Sequence, residues 1–194
     1  MNHPEIFIVP GLLLADYFLT VLGATLKERK YDKFFKSSHY ELNPRWQANI
    51  ANKKWFNMRH LGLTALVASF LVYVSEFANL PNEIVHGFIS CLVIFFGAIV
   101  GRHLSNICVF RRLIGKSDDI HGEITMSHAL ALAISLYQTV IVLVPVLILT
   151  VLYPSPVLVG AFIGSLLLVA VHLRWLRQHK KKQEASNNGM NADQ

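Results

Sequence analysis

Charged residues are scarce in this sequence of 194 residues: they make up 15% of the chain, whereas hydrophobic residues make up 53%. Soluble domains usually carry about a quarter charged residues, so a water-soluble globule is not the expected fold. Disorder over the whole chain is excluded as well, because disordered chains combine low hydrophobicity with high charge. The chain has only two cysteines, too few for a disulfide scaffold or a cysteine-rich zinc module.

Sequence motifs of common enzymes are also missing. The chain has no Walker loop, no Gly-x-Ser-x-Gly nucleophile elbow and no dinucleotide fingerprint. It contains neither H-E-x-x-H nor C-x-x-C-H, so we predict no metal site and no bound cofactor. Ser127 and His128 are adjacent in sequence, with no visible third member of a catalytic triad. These absences favour a non-enzymatic protein.

Long apolar stretches are what the sequence does contain. A helix that crosses a bilayer needs roughly 20 mostly apolar residues, and five stretches meet this requirement. We therefore predict an all-α fold, a polytopic bundle of transmembrane helices in one domain over residues 1–182. The polar segment 183–194 is predicted to be a disordered tail. The five predicted spans cover about residues 6–26, 60–80, 83–107, 127–153 and 156–175.

The basic residues predict the orientation of these spans. All 18 Lys and Arg residues fall in three stretches: the loop 27–59, the end of the third span with the loop that follows it, and the region after residue 173. Cytoplasmic segments of membrane proteins carry such an excess of Lys and Arg. Five spans, with the N-terminus outside and the C-terminus in the cytoplasm, place every basic residue on one side. We expect a multi-pass protein of the cytoplasmic (inner) cell membrane.

The loop 27–59 is basic and aromatic, and two interpretations of it stay open. Its charges either enforce topology alone or also hold the loop at anionic lipids. Asn43 and Pro44 are residues typical of a helix start, and a helix from Pro44 would carry Trp46, Ile50 and Trp55 toward the headgroups. That helix could continue directly into the second span. Nucleic-acid binding is not expected, because the membrane already accounts for these charges.

A short motif in this region resembles a known group of proteins. Asp16-x-x-x-Thr20 in the first span is followed by Glu41-x-Asn43-Pro44 before the next helix. This D-x-x-x-T…E-x-N-P pattern resembles that of uncharacterised small membrane proteins of bacteria and archaea, over about residues 10–80. The resemblance implies no particular activity. It implies that Asp16, Thr20, Glu41, Asn43 and Pro44 act together.

Asp16 is the most informative single residue of the sequence. It stands about ten residues into its span, roughly 15 Å deep by helix rise, where a charge costs at least about 2.5 kcal/mol. One interpretation is a proton or cation site, with Thr20 one helical turn away on the same face. The other is a hydrogen bond between helices. The partner we then expect lies in the fourth span, at Tyr137, Gln138 or Thr139.

Histidines form a second pattern. His60, His103, His128 and His172 all fall at the predicted cytoplasmic ends of different spans, with Arg102 and Asn106 beside them. Facing imidazoles on different helices can bind haem or a metal ion. Histidine is also amphipathic and suits a membrane interface without any ligand. Haem binding is therefore the alternative here, and an interfacial role is the preferred interpretation.

Two G-x-x-x-G steps occur, Gly97 to Gly101 in the third span and Gly160 to Gly164 in the fifth. Small residues four apart allow helix backbones to approach closely. We expect these steps to pack the third span against the fifth, or to form a homo-oligomer. Taken together, the sequence favours a non-enzymatic membrane protein that acts through helix packing, lipid or protein partners. A small transporter or channel using Asp16, and a haem or quinone redox protein using the histidines, are the alternatives.

Overall fold

A computed structural model of the chain describes residues 3–37, 43, 46–115 and 122–192. Helices dominate these residues, and five are long and apolar enough to cross a membrane. The prediction of an all-α bundle with five helices of spanning length is thereby confirmed. Their insertion in a membrane and the side on which each end lies stay predictions. The helices are α1 (Ile8–Lys30), α2 (Gln47–Ala51), α3 (Met58–Glu76), α4 (Asn82–Gly115), α5 (His128–Leu152) and α6 (Pro156–Ala192).

Two helices extend beyond the predicted spans. α4 has 34 residues, which gives a length of roughly 51 Å at ~1.5 Å per residue. A hydrocarbon core is only about 30 Å thick, so in a membrane the end of α4 that carries Arg111 and Arg112 would project beyond it. α6 is helical through Ala192, which differs from the disordered tail predicted from residue 183. A polar composition alone does not stop a helix that has already been nucleated.

α4 is the central element of the bundle. It packs on α1 along one side and on α6 along another. α5 packs on α6, and α3 makes a smaller contact with α1. At the end where α1 and α4 begin, Ile6 and Val9 are buried against Leu71, Val85 and Ile89. At the opposite end of these two helices, Leu26 packs between Ile107 and Phe110. The two N-terminal ends of α1 and α4 therefore meet at one end of the bundle.

The outward faces of α3 and α5 carry large apolar side chains. Leu66 on α3 is 67% exposed, and Ile141 and Val151 on α5 are 74% and 71% exposed. Soluble monomers rarely display contiguous apolar surface of this kind. These faces suit contact with lipid chains.

α4 and α6 approach each other closely at glycines. A Cβ added at Gly160 would overlap the carbonyl group of Gly87, and one at Gly164 would overlap that of Cys91. This is the close approach of backbones that small residues permit. Gly97 and Gly101 do not take part in such a contact within the chain, because a Cβ at either position meets no atom within 4 Å. A homo-oligomer through this step stays a prediction. Those two glycines border open space.

The loop after α1 differs from its predicted form. The helix expected from Pro44 begins at Gln47 and ends at Ala51. Trp46 and Ile50 do not face headgroups: Ile50 is 2% exposed, and both pack against Tyr17 in α1. α2 also does not continue into α3, because the chain turns through Lys53, whose φ is +50°. α3 then starts after Asn57, whose side chain accepts a hydrogen bond from the backbone N–H of Arg59.

Two short strands join the connecting segments at the other end of the bundle. β1 (Phe35–Ser37) follows α1, and β2 (Ile124–Met126) precedes α5. They pair in parallel, with Phe35 opposite Ile124 and Ser37 opposite Met126. This ladder requires both segments to lie on the same side of a membrane, as five alternating spans demand.

Candidate functional site

A buried polar contact joins α1 to α4. Asp16 Oδ1 lies 3.1 Å from His103 Nε2, and Thr20 Oγ1 lies 3.1 Å from the same nitrogen. The Thr20 hydroxyl donates to the backbone carbonyl of Asp16 at 2.7 Å, which leaves its oxygen free to accept from the His103 ring N–H. His103 is 6% exposed. Two side chains of α1 thus hold one imidazole of α4 in place.

This contact corrects the predicted partner of Asp16. We expected Tyr137, Gln138 or Thr139 of α5, but α5 packs on α6 and lies away from α1. Tyr137 is 68% exposed, and the Thr139 hydroxyl donates to the carbonyl of Leu136 in its own helix. A hydrogen bond between helices does form at Asp16, with His103 as its partner.

His60 joins α3 to α1 in a different way. Its ring stacks on that of Tyr17 with 4.6 Å between centroids, and its Nε2 lies 3.0 Å from the carbonyl oxygen of Leu13. A carbonyl oxygen only accepts, so the proton of His60 is on Nε2. The Tyr17 hydroxyl donates to the carbonyl of Lys54 at 2.5 Å. These bonds fasten α3 and the turn before it to α1.

A second polar group surrounds Arg102, the residue next to His103. Arg102 Nη1 donates to Ser135 Oγ of α5 and lies 3.1 Å from His172 Nε2 of α6. His172 Nδ1 lies 2.8 Å from the carbonyl of Leu168 and must donate to it, so Nε2 carries the lone pair. Ser135 and His172 are 3% and 1% exposed. Arg102 therefore links three helices through buried neutral acceptors.

The same group brings a hydroxyl close to an imidazole. Ser135 Oγ lies 2.8 Å from His172 Nε2, the spacing of a nucleophile and its base. Here the guanidinium of Arg102 donates to both Ser135 Oγ and His172 Nε2. It therefore competes with the Ser135 hydroxyl for the lone pair of His172 Nε2. A cation on that lone pair opposes proton acceptance by the imidazole. The arrangement suits anion binding better than nucleophilic catalysis.

A cavity of about 620 Å³ opens beside Arg102, between α4, α5 and α6. Its lining on α4 runs from Val93 to Asn106, roughly 20 Å along the helix axis. Apolar side chains line the end nearest Val93, and polar side chains line the end nearest Asn106. The apolar group includes Val93, Ile94, Ile141 and Val142, and the polar group includes Arg102, Ser105, Asn106, Ser135, Gln138 and His172.

Gly97 and Gly101 are also part of the lining. Their missing side chains leave space that a larger residue would fill, which explains why they meet no neighbour within 4 Å. Gly101, Ser105, Gln138 and Ile141 are exposed residues of the lining. The cavity is therefore open on the outer surface of the bundle, between α4 and α5.

The four predicted histidines have four different sets of partners. His60 bonds to Leu13, His103 to Asp16 and Thr20, and His172 to Ser135 and Arg102. The ring of His128 lies 5.1 Å from that of His179 on α6. Haem with two histidine ligands needs two imidazoles aimed at one iron. The Nε2 atoms of His60, His103 and His172 point at protein groups instead, so this arrangement gives no support to haem.

One group of ligand-type residues was missed by sequence reasoning. His3, Glu5 and His86 each place a potential metal-ligating atom within 4.8 Å of the other two. They lie where α1 and α4 begin, and the sequence predicts no metal site there. No spacing rule could have found the group, because His86 is 83 residues from His3 along the chain.

The resemblance stated from the D-x-x-x-T…E-x-N-P pattern stays a prediction. Asp16 and Thr20 meet at His103, as described above. Asn43 accepts a backbone hydrogen bond from Trp46 at 3.1 Å, whereas Glu41 and Pro44 lie outside the described residues. Comparison with known protein families, characterised proteins and solved structures found no match to this chain.

Proposed function

We propose that this chain is a multi-pass integral membrane protein that binds an anionic amphiphile in the cavity beside Arg102. The occupant we infer is a phospholipid with an anionic headgroup. One observation carries this proposal: the cavity changes from apolar to polar and cationic along its length. A lipid has the same polarity along its own length, with apolar chains at one end and a charged headgroup at the other.

The charge of Arg102 favours an anionic occupant. Arg102 lies in the cavity lining, and its guanidinium carries a positive charge at every physiological pH. The cavity lining within the described residues contains no carboxylate that would repel an anion. A phosphate oxygen in the cavity would accept a charge-assisted hydrogen bond from this guanidinium.

The position of the polar end agrees with an inner-leaflet lipid. It lies toward the end of α4, the same end of the bundle as the β1–β2 ladder. The described basic ends of α1, α4 and α6, at Lys27, Arg111 and Arg174, also lie toward that end, which the excess of Lys and Arg predicts to be cytoplasmic. Basic pockets between transmembrane helices on that side bind anionic headgroups. We therefore propose an orientation with the N-terminus outside, in a cytoplasmic membrane.

The opening between α4 and α5 supplies a route for such a ligand. Exposed lining residues such as Gly101 and Ile141 lie at the outer surface of the bundle. A lipid can enter this opening sideways from the bilayer without crossing an aqueous phase. Its chains would then contact Val93, Ile94 and Val142.

The experiment is thermal unfolding of the purified chain in micelles, with and without added lipid. A ligand that binds only the folded state raises the unfolding temperature. We expect phosphatidylglycerol to raise it for wild type and to lose most of this effect in Arg102→Gln. Phosphatidylcholine and inorganic phosphate should have little effect, which separates a lipid headgroup from free phosphate.

Arg59→Gln is the matched control. Arg59 is an exposed residue at the start of α3, away from the cavity, so its loss should leave the response to phosphatidylglycerol unchanged. Gly101→Leu should reduce the response by filling the cavity while keeping every charge. An equal response of wild type, Arg102→Gln and Gly101→Leu would contradict the proposal.

A second candidate function is proton or cation movement through Asp16. The observation that favours it is the meeting of two titratable groups, Asp16 and His103, at 3.1 Å. Intramembrane pairs of this kind occur in proton relays. The same contact is explained by helix packing, which we prefer because Thr20 and His103 complete it as a closed hydrogen-bonded group. Ion flux in proteoliposomes separates the two interpretations.

A further inference from the structure

We propose that His3, Glu5 and His86 form a zinc-binding site at the end of the bundle where α1 and α4 begin. This inference is independent of the lipid cavity, which opens between α4, α5 and α6. The zinc ion would link the segment before α1 to the first turns of α4.

The distances suit a single small cation. Glu5 Oε1 lies 3.0 Å from His3 Nδ1 and 3.1 Å from His86 Nδ1. All three ligand atoms lie within 4.8 Å of one another. Zinc binds imidazole nitrogen and carboxylate oxygen at ~2.0–2.2 Å in tetrahedral geometry, which places its ligand atoms roughly 3.4 Å apart. The two Glu5 contacts would each lengthen by roughly 0.3–0.4 Å to admit the ion.

Asn82 orients one of the two imidazoles. Its Oδ1 lies 3.3 Å from His3 Nε2, and an amide oxygen accepts, so Nε2 carries a proton in this contact. In the neutral tautomer with this proton, the lone pair of Nδ1 faces the Glu5 carboxylate. Two electron-rich atoms at 3.0 Å require a cation between them, either a proton or a metal ion. A polar group on the remote ring nitrogen is also typical of histidines that bind metals.

The surroundings hold the ligands while leaving an approach from outside. His3 is 4% exposed, and the buried side chains of Ile6 and Val9 fix the following turn against Val85. The side chains of His86 and Glu5 are 45% and 30% exposed. Water can therefore reach the group and occupy a fourth coordination position.

The type of ligand limits the metal to a class of ions. Two imidazole nitrogens and one carboxylate oxygen suit zinc and other first-row transition ions, whereas magnesium and calcium prefer oxygen ligands throughout. Zinc would join the N-terminal segment to α4 without any redox chemistry. The competing explanation is a protonated His3 or His86 that forms an ion pair with Glu5.

The test is a zinc titration of the untagged, metal-free chain in micelles, read with a chromophoric chelator as competitor. We expect one zinc ion per chain, and an increase in the unfolding temperature when zinc is added. Glu5→Gln and His86→Gln should each weaken zinc binding by at least about tenfold. Asn82→Ala should weaken it by about 10–100-fold, as loss of such an orienting partner does elsewhere.

Two matched controls separate a specific site from general affinity. Glu83→Gln removes an exposed carboxylate from the same first turn of α4, and His179→Gln removes an imidazole from α6. Both should leave zinc affinity unchanged. Unfolding temperatures of the metal-free variants show whether each one folds, and Glu5→Gln keeps the shape of the side chain.

Three results would overturn the inference. The first is no stoichiometric zinc in the wild-type chain. The second is binding that Glu5→Gln and His86→Gln leave unchanged. The third is an unfolding temperature that rises when the pH is lowered but does not respond to zinc. That result would identify protons, and not a metal ion, as the cations between the three side chains.

Discussion

The contact between α4 and α6 predicts that the same substitution has opposite effects at two pairs of glycines. Gly160→Ala and Gly164→Ala place a Cβ against backbone carbonyl groups of α4, which cannot rotate away. The helices would have to separate, and forcing extra carbon atoms into a packed contact typically costs about 1–3 kcal/mol. Gly97→Ala and Gly101→Ala place the same atom in open space. There the greater helix propensity of Ala should stabilise the chain by about 0.5–1 kcal/mol.

Comparing these four variants isolates the free-energy cost of the steric overlap between the added Cβ and the backbone of α4. The gain in helix propensity is similar at each helical position, so it cancels in the difference between Gly160→Ala and Gly97→Ala. We expect that difference in free energy of unfolding to be about 1–3 kcal/mol. Reversible unfolding in mixed micelles of increasing SDS content, followed by circular dichroism, measures it. Equal stabilities, or destabilisation at Gly97 and Gly101, would refute the assigned packing.

Further predictions concern topology and the contacts of α1. With both native cysteines replaced, a cysteine at Ser155 should react with an impermeant maleimide outside the cell, and one at Lys116 only after lysis; the reverse pattern would contradict the proposed orientation. Asp16→Asn should unfold within about 1 kcal/mol of wild type, because an amide oxygen still accepts from His103; a cation flux lost at unchanged expression would favour transport instead. Tyr17→Phe should lower the free energy of unfolding by about 1 kcal/mol, measured as above, since it removes one hydrogen bond to the turn before α3; an unchanged value would show that this bond adds nothing.

The number of spans was predictable from sequence because a bilayer imposes a simple length requirement on apolar stretches. The ends of the spans were less predictable, since hydropathy reports where the apolar part stops and not where the helix stops. α4 illustrates this limit. Its last residues carry Arg111 and Arg112, yet the helix continues to Gly115. Helices tolerate charged residues once their ends reach water.

The site was only partly predictable, because neighbours in space depend on which helices pack together. Asp16 was expected to bond to another helix, but nothing in its own span indicates that α4 is the neighbour. The two G-x-x-x-G steps show the same limit. One lies on a packed face of α6 and the other lines a cavity of α4, although their local sequences are alike.

The histidines show how a single pattern can separate in three dimensions. Four of them fall at the predicted cytoplasmic ends of different spans, which predicted one layer. Adjacent residues on a helix are rotated by about 100°, so Arg102 and His103 face different neighbours. His103 contacts α1, and Arg102 contacts α5 and α6. The level of a residue follows from its position in the span, whereas its partner follows from the packing.

The most direct test of the central proposal is to identify which lipid stays bound to the chain. Native mass spectrometry of protein released from nanodiscs with equal amounts of phosphatidylglycerol and phosphatidylcholine gives this result. We expect one retained phosphatidylglycerol per chain in wild type and Arg59→Gln, and its loss in Arg102→Gln. Retention of both lipids without preference, or an unchanged preference in Arg102→Gln, would contradict an anion site at Arg102.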